Sequence, residues 1–377
     1  MVVQPLTASP RQSLPAEQVT WLLRDSNAPT ITAGCEIVDQ NLETVEDIST
    51  DMAGGSVSRN SYATLHGTAS LALSRELAWS SALVRPYLEV CDEGVTARFH
   101  LGVYYTSIPE RTFGEQPVTY EVAGVDILHG LYSPTGEAYA VGAGTPYLVA
   151  VEQILREQGY TRYLIDQTRA DSVLPSARVW PLDDQTRWLT VVNDLLSAIG
   201  YQGIWSDWDG QLRCQLYQVP KDRATEWVYD AGQQTSMLSP QRTAVRDFFE
   251  APNRWVIIRQ NDVDGPPPVD GDGMFIFQND FEGDTSVSAR NGRIITRVEF
   301  VDAADHEALV RAALAIIDAD MRAPTTLRVA TFPNPLHWHF DRLVVDDPDI
   351  GRFSNVLATS WTLPFDGSDM THEWRII

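Results

Sequence analysis

An alternation of apolar and polar residues between residues 95 and 105 is the pattern that most restricts how this chain can fold. The apolar side chains occupy every second position: Val95, Ala97, Phe99, Leu101, Val103 and Tyr105. Side chains at i and i+2 of a strand lie on the same face, so the pattern predicts a β-strand with one buried face. The preceding letters "CDEG" predict a tight turn from another strand at residues 87–90.

The same alternation occurs from Tyr62 to Leu73 and in "PVTYEVAGVD", residues 117–126. Several strands of this kind, separated by short turns, are typical of antiparallel β-sheet. The first third of the chain therefore predicts a β-barrel or a β-sandwich.

The middle of the chain predicts two helices among short strands. "TPYLVAVEQILREQGY" places Thr145 at the N-cap, Pro146 at the first helical position and Gly159 at the end. "DDQTRWLTVVNDLLSAIGY" predicts a second helix with Asp184 as its cap. The following "GIWSDWDGQLRCQLY" predicts a hairpin that turns at residues 209–210. The centre is therefore α+β.

The last third returns to strand patterns. "NRWVIIRQ" predicts a buried strand, "VSARNGRIITRVEF" predicts a hairpin around Asn291-Gly292, and the tail predicts two long strands joined at Asp366-Gly367. One helix, "DAADHEALVRAALAIIDADMRAP", is predicted between the cap Asp302 and the terminating Pro324. No repeat of fixed period is visible, although the two β regions are similar in size.

The stretch "NPLHWHFD" contains the candidate metal ligands His337, His339 and Asp341. In a strand these three side chains would share one face and could converge on a metal ion. A metal site needs three or four ligands, and here the third would come from Asp341 or from another chain. The favoured interpretation is a strand with Trp338 and Phe340 on an inner aromatic face and a polar, partly solvated outer face. We therefore assign no metal and no cofactor.

Other candidate sites also favour structural interpretations. "DVDGPPPVDGDG", residues 262–273, lacks the EF-hand spacing and predicts a solvated loop. Asp183 and Asp184 could act as a glycosidase pair, but they sit side by side among 51 acidic residues. Four tryptophans form either a sugar-stacking platform or, as we favour, parts of the core: Trp180, Trp188, Trp205 and Trp208. No nucleophile or phosphate-binding motif is present, so no catalytic residue is assigned.

The charge balance excludes some classes of function. Acidic residues number 51 and basic residues 28, giving a formal net charge of −23, which opposes binding to nucleic-acid phosphates. No run of eighteen apolar residues predicts a membrane span, and the N-terminus lacks a signal-peptide pattern, so folding in a cytoplasm is expected. Cys35, Cys91 and Cys214 are far apart and predict buried free thiols.

Four segments together resemble the tail-tip hub proteins, or minor tail proteins, of long-tailed phages of actinobacteria. They are "VAGVDILHGLYSP", "TPYLVAVEQILREQGY", "VWPLDDQTRWLTVVNDLLSAIGYQGIWSDWDGQLRCQLY" and "FPNPLHWHFDRLVVDD…VLATSWTLPFDGSDMTHEWRII". The resemblance implies the baseplate-hub fold that is shared with contractile-tail hubs and type VI secretion spike proteins. That fold is a β-rich, multidomain α+β fold in which two similar antiparallel β-barrel domains flank an α+β domain.

The resemblance also implies a division of the chain. It has an N-terminal arm (residues 1–20), a first β-barrel (21–126), an α+β domain (127–242) and a second β-barrel (243–377) with an inserted helix at 302–322. "NPLHWHFD" is then a structural strand of the second barrel.

As a family member the chain is expected to be a non-enzymatic structural virion protein. Three copies with two barrels each give six similar units, so that the homotrimer adapts the sixfold tail tube to a threefold tip. Expected partners are the distal tail protein ring, the tape measure protein and other tail-tip or fibre proteins, with genomic DNA passing through without specific binding and no membrane insertion. Assembly is expected in the host cytoplasm, at the tail tip of the virion.

Further expectations concern activity and subunit contacts. Because the last predicted strand ends at Ile377, wall-degrading and receptor-binding activities are expected in other proteins. Arg75, Arg85 and Arg98 are candidates for ion pairs between chains. Two alternatives remain: a depolymerase or glycosidase that acts on host cell-wall polysaccharide, with Trp205 and Trp208 as stacking groups, and a carbohydrate-binding tip adhesin.

Overall fold

The protein is built mainly from β-strands, which confirms the predicted β-rich α+β fold class. A computed structural model describes residues 14–26, 29–77, 82–107, 110–111, 119–231, 238–246, 248–259, 273–322 and 325–377. In these ranges no helix is both long and apolar enough to cross a bilayer.

A short helical segment precedes the first strand. α1 (Ala16–Thr20) continues into one π-helical turn (Trp21–Asp25). Val19, Leu22 and Leu23 are buried in a core that also contains strand residues from both ends of the chain. Val19 of the predicted N-terminal arm is therefore buried, and residues 1–13 lie outside the described part of the chain.

The first module is an antiparallel sheet, as the alternating patterns predicted. Its described strands are β1 (Thr30–Val38), β2 (Thr44–Asp47), β3 (Met52–Asn60), β4 (Gly67–Leu73), β5 (Leu83–Asp92), β6 (Val95–His100), β7 (Tyr104–Thr106), β8 (Glu110–Arg111) and β9 (Tyr120–Asp126). Their order is β3-β4-β9-β7-β5-β1-β2, with β6 on β5 and β8 on β9. Burial alternates along β4 and β9, so one face of each strand lies in the core.

The middle module, residues 127–226, combines two helices with short strands. Its elements are a 3-10 helix (Ile127–Tyr132), β10 (Tyr139–Val141), α2 (Tyr147–Glu157), β11 (Tyr163–Ile165), β12 (Arg178–Trp180), α3 (Trp188–Ser197), β13 (Trp205–Ser206), β14 (Leu212–Cys214) and a second 3-10 helix (Pro220–Asp222). The helices share one apolar core that includes Val151 and Leu195. β11 and β14 run parallel, whereas β13 and β14 form the predicted hairpin around Gly210.

Both helices of this module begin later than predicted. α2 starts at Tyr147, because Pro146 takes an extended backbone at the N-cap position that we assigned to Thr145. α3 starts after Arg187, so Asp184 is not its cap. The neighbouring Asp183 instead accepts hydrogen bonds from two backbone N–H groups within residues 185–186, and this local turn precedes the helix.

The remaining elements of the chain complete one large sheet and a separate small unit. They are β15 (Trp227–Asp230), β16 (Leu238–Arg246), β17 (Arg254–Arg259), β18 (Met274–Gln278), β19 (Thr296–Val301), α4 (His306–Arg322), β20 (Thr325–Thr331), β21 (Arg342–Asp347), β22 (Gly351–Pro364) and β23 (Met370–Ile376).

The second module has the strand order β16-β20-β23-β22-β21-β15. All its neighbours are antiparallel except β15 and β21, which are parallel. β22 is fourteen residues long, and its last part, from Ser360 to Pro364, also pairs with β3 of the first module. Both modules therefore belong to one 15-stranded sheet of the described residues.

The chain between β16 and β20 forms an inserted unit, defined here as residues 248–322. Its sheet has the order β18-β17-β19, and α4 packs on one face around Trp255 and Ile257. The predicted hairpin around Asn291-Gly292 is wrong, because β19 pairs in parallel with β17 and not with β18. Asn291 and Gly292 do form a turn, but β18 and β19, the strands before and after it, do not pair with each other.

The cap of α4 also differs from the prediction. Asp305 Oδ1 accepts a hydrogen bond from the backbone N–H of Ala308 at 2.8 Å, which is the geometry of an N-cap. Asp302 instead forms an ion pair with Arg178 of the middle module. The domain boundaries that we gave above stay a prediction.

Candidate functional site at the junction of the modules

The segment "NPLHWHFD" is not a strand. It is an irregular connection between β20 and β21, and Phe340 has a positive φ of 54°. Asn334 Oδ1 accepts from the N–H of Leu336 at 3.1 Å, and Asp341 Oδ2 accepts from the N–H of Trp338 at 2.6 Å. These side chain to backbone bonds replace a strand ladder, so the predicted two-faced strand is wrong.

His337 and Asp341 lie in contact inside the protein. Each is 1% exposed, and His337 Nδ1 is 3.3 Å from Asp341 Oδ2. His337 Nε2 is 2.6 Å from the hydroxyl of Tyr229 on β15, which also accepts from Asn334 Nδ2 at 3.3 Å. The order Asp, His, hydroxyl is that of a hydrolase triad, but burial of all three side chains keeps a substrate away. We therefore interpret the network as structural.

His339 lies apart from this pair. Its ring stacks on Trp205 with centroids 5.0 Å apart and planes at 12°, and it meets His66 edge-on at 4.8 Å. Burial, and then the proximity of His66 and Arg59, hold the pKa of His339 well below its usual range. The structure thus brings two of the three candidate ligands together and directs the third elsewhere. The described ranges contain no group of three or more His, Cys, Asp or Glu side chains arranged to hold a metal ion.

A buried ion pair joins the three modules at Ser206. Arg59 on β3 is 2% exposed, and its Nη1 is 3.7 Å from Asp126 Oδ2 at the end of β9. Arg59 Nη2 and the indole N–H of Trp338 both donate to the backbone oxygen of Ser206, at 3.0 and 2.8 Å. The Ser206 hydroxyl lies 3.0 Å from both Asp126 oxygens, and the guanidinium lies over the Trp338 ring at 4.4 Å. Arg59, Asp126, Ser206 and Trp338, with His337, Asp341 and Tyr229, are called the polar junction below.

Burial dominates the electrostatics of the ion pair. It lowers the pKa of Arg59, although Asp126 opposes the shift, and it raises the pKa of Asp126 more than Arg59 lowers it. A buried pair of this kind costs desolvation energy and adds little net stability compared with an apolar core. Removal of one partner, however, leaves the other charge without compensation.

Glu226 and Asp341 form a pair of interacting carboxyl groups at the other end of the polar junction. Burial, followed by the nearby Asp341 carboxylate, raises the pKa of Glu226 well above its usual range, against the effect of Arg223. Burial also acts on Asp341, but the hydrogen bonds from His337 and from the Trp338 N–H outweigh it and lower the pKa. The two carboxyl groups form one coupled pair, in which the pKa of Glu226 is raised and that of Asp341 is lowered.

Sequence reasoning did not identify Arg59, Asp126, Ser206 or Tyr229. The sequence did contain a signal for Arg59 and Asp126, because each lies on the buried face of its strand. Arg59 follows the buried Val57 by two residues, and Asp126 follows the inward Gly124 by two residues. A charged residue on an apolar parity indicates a buried partner. No local signal shows which partner it is.

The remaining candidate residues from the sequence, the tryptophans and the cysteines, are mostly buried in the protein. The tryptophans are buried, which confirms the core interpretation: Trp180, Trp188, Trp205 and Trp208. Cys35 and Cys214 are buried free thiols, as predicted, whereas Cys91 is partly exposed. Residues 262–272 of the predicted solvated loop lie outside the described residues.

The three arginines assigned to subunit contacts have partners within the chain. Arg85 is buried and binds Glu36 at 2.7 Å. Arg98 binds the same glutamate at 2.9 Å, and Arg75 binds Glu46 at 2.8 Å. Each arginine therefore already has a carboxylate partner within its own chain, and the assignment of Arg75, Arg85 and Arg98 to ion pairs between chains stays a prediction.

Comparison with known proteins identifies the fold. No family model matches the sequence, and no curated protein matches it. A tail protein of Neisseria meningitidis MC58 superimposes with a TM-score of 0.63 at 9% identity, over 92% of this chain and 96% of that one. The 43 kDa tail protein of prophage MuSo2 from Shewanella oneidensis gives 0.62 at 11% identity, over 92% and 98%.

A Francisella PdpA-VgrG complex is also similar, with a TM-score of 0.52 at 9% identity over 93% of this chain and 53% of the matched chain. The chain therefore has a fold shared by two tail proteins, one of them from a prophage, and by a chain of a VgrG-containing assembly. At these identities the likeness establishes the fold alone.

Proposed function

We propose that the chain is a structural virion protein, a homotrimeric tail-tip or baseplate hub of a long-tailed phage of actinobacteria. It adapts the sixfold tail tube to a threefold tip and forms part of the channel through which DNA is ejected. The observation that carries the proposal is the likeness to two phage tail proteins over 92% of the chain.

The sheet topology supports the proposal. Two β modules of one chain are joined edge to edge where β22 pairs with β3. Three chains would present six such modules, which suits contact with a sixfold tube. The polar junction fixes the angle between the modules, since Ser206 binds side chains from both of them.

The net charge suits a channel for DNA. Three copies at −23 each carry −69 formal charges. A lumen lined by part of this charge repels phosphates, so DNA would pass without binding. The distal tail protein ring, the tape measure protein and other tip or fibre proteins are the proposed neighbours, at the tail tip of a virion assembled in the host cytoplasm.

An enzymatic role has less support. The glycosidase alternative used Trp205 and Trp208 as stacking groups, and both are buried. Its carboxylate Asp183 serves a backbone turn. We therefore propose a non-enzymatic protein, and a glycan-binding assay separates the hub from the tip-adhesin alternative.

The test is the mass of the full chain in solution together with images of the phage particle. We expect a species of three times 42.0 kDa and a threefold ring with a lumen at the tail tip. A protein that is monomeric both in solution and in the particle contradicts the proposal.

A further inference from the structure

The sheet of the inserted unit has one apolar face that no described part of the chain covers. α4 packs on the face that contains Trp255 and Ile257. The opposite face, called the outer face, is formed by nine residues: Arg254, Val256, Ile258, Met274, Ile276, Gln278, Thr296, Val298 and Phe300. Ile276, Val298 and Phe300 are 50%, 53% and 57% exposed.

Two of the three strands, β17 and β18, have the sequence of a sheet covered on both faces. "WVIIR" and "MFIF" place apolar residues at consecutive positions instead of alternating them with polar ones. A sheet with one face in water normally alternates, whereas a sheet buried on both sides has continuous apolar runs. The contact with α4 explains only the apolar residues on the face that contains Trp255 and Ile257. The apolar residues on the outer face indicate a contact that forms when the protein assembles.

Exposed apolar surface is concentrated in this unit. All four phenylalanines that are exposed among the described residues belong to it: Phe249, Phe277, Phe281 and Phe300. Of these, only Phe300 lies on the outer face, where it forms with Ile276 and Val298 an apolar patch of the kind that usually marks an interaction site. The outer face also includes no carboxylate among its nine residues, and it ends at Arg254.

Charge favours a second copy of the chain as the partner. Two molecules with a net charge of −23 repel each other over most of their surfaces. A face with one arginine and no carboxylate is where the repulsion is lowest, and Arg254 there complements the acidic surface of another copy.

The connectivity of the sheet favours the same partner. The inserted unit leaves the large sheet at Arg246, the last residue of β16, and β16 is an edge strand because it pairs only with β20 among the described residues. In a closed ring of copies, an open sheet edge is a natural place for contact with the next copy. The inserted unit is therefore attached at an edge of the sheet that is open to a neighbouring copy.

We propose that the outer face of the inserted unit docks against a second copy of this chain and is covered in the assembled ring. The inference rests on the proposed homotrimer and adds the surface that holds it together. The contact is head to tail, so each copy offers its outer face to one neighbour and a different surface to the other.

The experiment uses the full chain with Val298→Asp and, separately, Ile276→Asp. Both place a carboxylate in the middle of the outer face, on different strands. We expect the dissociation constant of the trimer, from sedimentation equilibrium, to rise at least about tenfold for each. Val149→Asp on α2 is the matched control, because Val149 is 51% exposed, close to the value of Val298, and we expect it to leave the trimer unchanged.

Far-UV circular dichroism and thermal melting establish that each variant is folded, and Val298→Ile provides a version that keeps the apolar contact and the trimer. Trimers of unchanged stability in both aspartate variants overturn this inference and leave the hub proposal standing. A wild-type chain that is monomeric at tens of micromolar and also in the particle overturns both. A variant that is trimeric but fails to enter particles assigns the outer face to a different protein, and so also overturns the inference.

Discussion

The hydroxyl oxygens of Ser58 and Thr362 lie 2.8 Å apart, although 304 residues separate them in the chain. They face each other where β3 pairs with β22, and this pairing makes one sheet of the two modules. The hydrogen bonds between β3 and β22, together with the polar junction, hold the two modules in one relative orientation.

Replacement of Arg59 by alanine should strongly destabilise the fold. It leaves the Asp126 carboxylate buried without its cation and removes a hydrogen bond to Ser206. Loss of one partner of a buried pair costs about 3–5 kcal/mol, which denaturant unfolding would measure. Arg75→Ala is the control, since this side chain binds Glu46 at the surface, and its effect should be far smaller. Equal effects of the two changes would show that the buried pair has no special role.

The stability of the protein should fall below about pH 6.5, and His339→Phe should reduce this dependence. Burial lowers the pKa of His339 from its ordinary 6.5, so the unfolded chain takes up a proton below that pH and the folded chain does not. Protons then favour unfolding, by up to about 1.4 kcal/mol per pH unit for one histidine. His66, with its pKa lowered to about 3, and His372 should contribute in the same direction.

Unfolding in denaturant at pH 7.5, 6.5 and 5.5 measures this slope. Phenylalanine keeps the stacking on Trp205, and His339 Nδ1 has no hydrogen-bond partner to lose. His129→Phe changes an exposed histidine and should leave the slope unchanged. An identical slope in wild type and His339→Phe would contradict the explanation.

Arg169→Ala should loosen the inserted unit without unfolding the protein. Arg169 of the middle module binds Asp305 at 2.6 Å and Glu307 at 2.9 Å, at the start of α4. Both carboxylates are about half exposed, so the global free energy of unfolding should change by about 1 kcal/mol or less. Amide hydrogen exchange at the start of α4 should become faster, and high salt should have the same effect in the wild type. Arg156→Ala, which breaks a surface pair on α2, should leave exchange in α4 unaltered.

Gly34→Ala should destabilise the first module. A Cβ at this position would lie 2.2 Å from Cζ of Tyr87 and 2.5 Å from Oγ of Ser49. Arg98 covers the Tyr87 ring at 3.9 Å, so the ring has little room to move. Overpacking of this kind costs about 1–3 kcal/mol, visible as a lower melting temperature. Gly142→Ala is the control, because its nearest neighbour would be 3.9 Å away, and an equal drop in melting temperature there would refute the steric explanation.

Sequence patterns predicted the elements whose cause is local. Glu93 and Gly94 have φ values of 48° and 80° in the turn between β5 and β6, as "CDEG" indicated. Gly367, at φ 79°, joins the two long strands of the tail as predicted. The predicted hairpin at residues 291–292 failed, because a turn residue specifies a reversal of the chain and not the strands that pair beyond it.

By itself the sequence determined the three longer helices and most of the long strands, and it indicated antiparallel β regions at both ends of an acidic chain. The spacing of apolar side chains and the turn residues act over a few residues, and the net charge acts over the whole surface. Each can therefore be recognised in a single sequence. Only the tertiary structure decided that β3 pairs with β22, that Arg59 meets Asp126 at Ser206, and that His337 and His339 lie apart. The physical reason is that these contacts join distant segments whose pairing depends on packing of the entire chain, and nothing within a few residues of either partner specifies it.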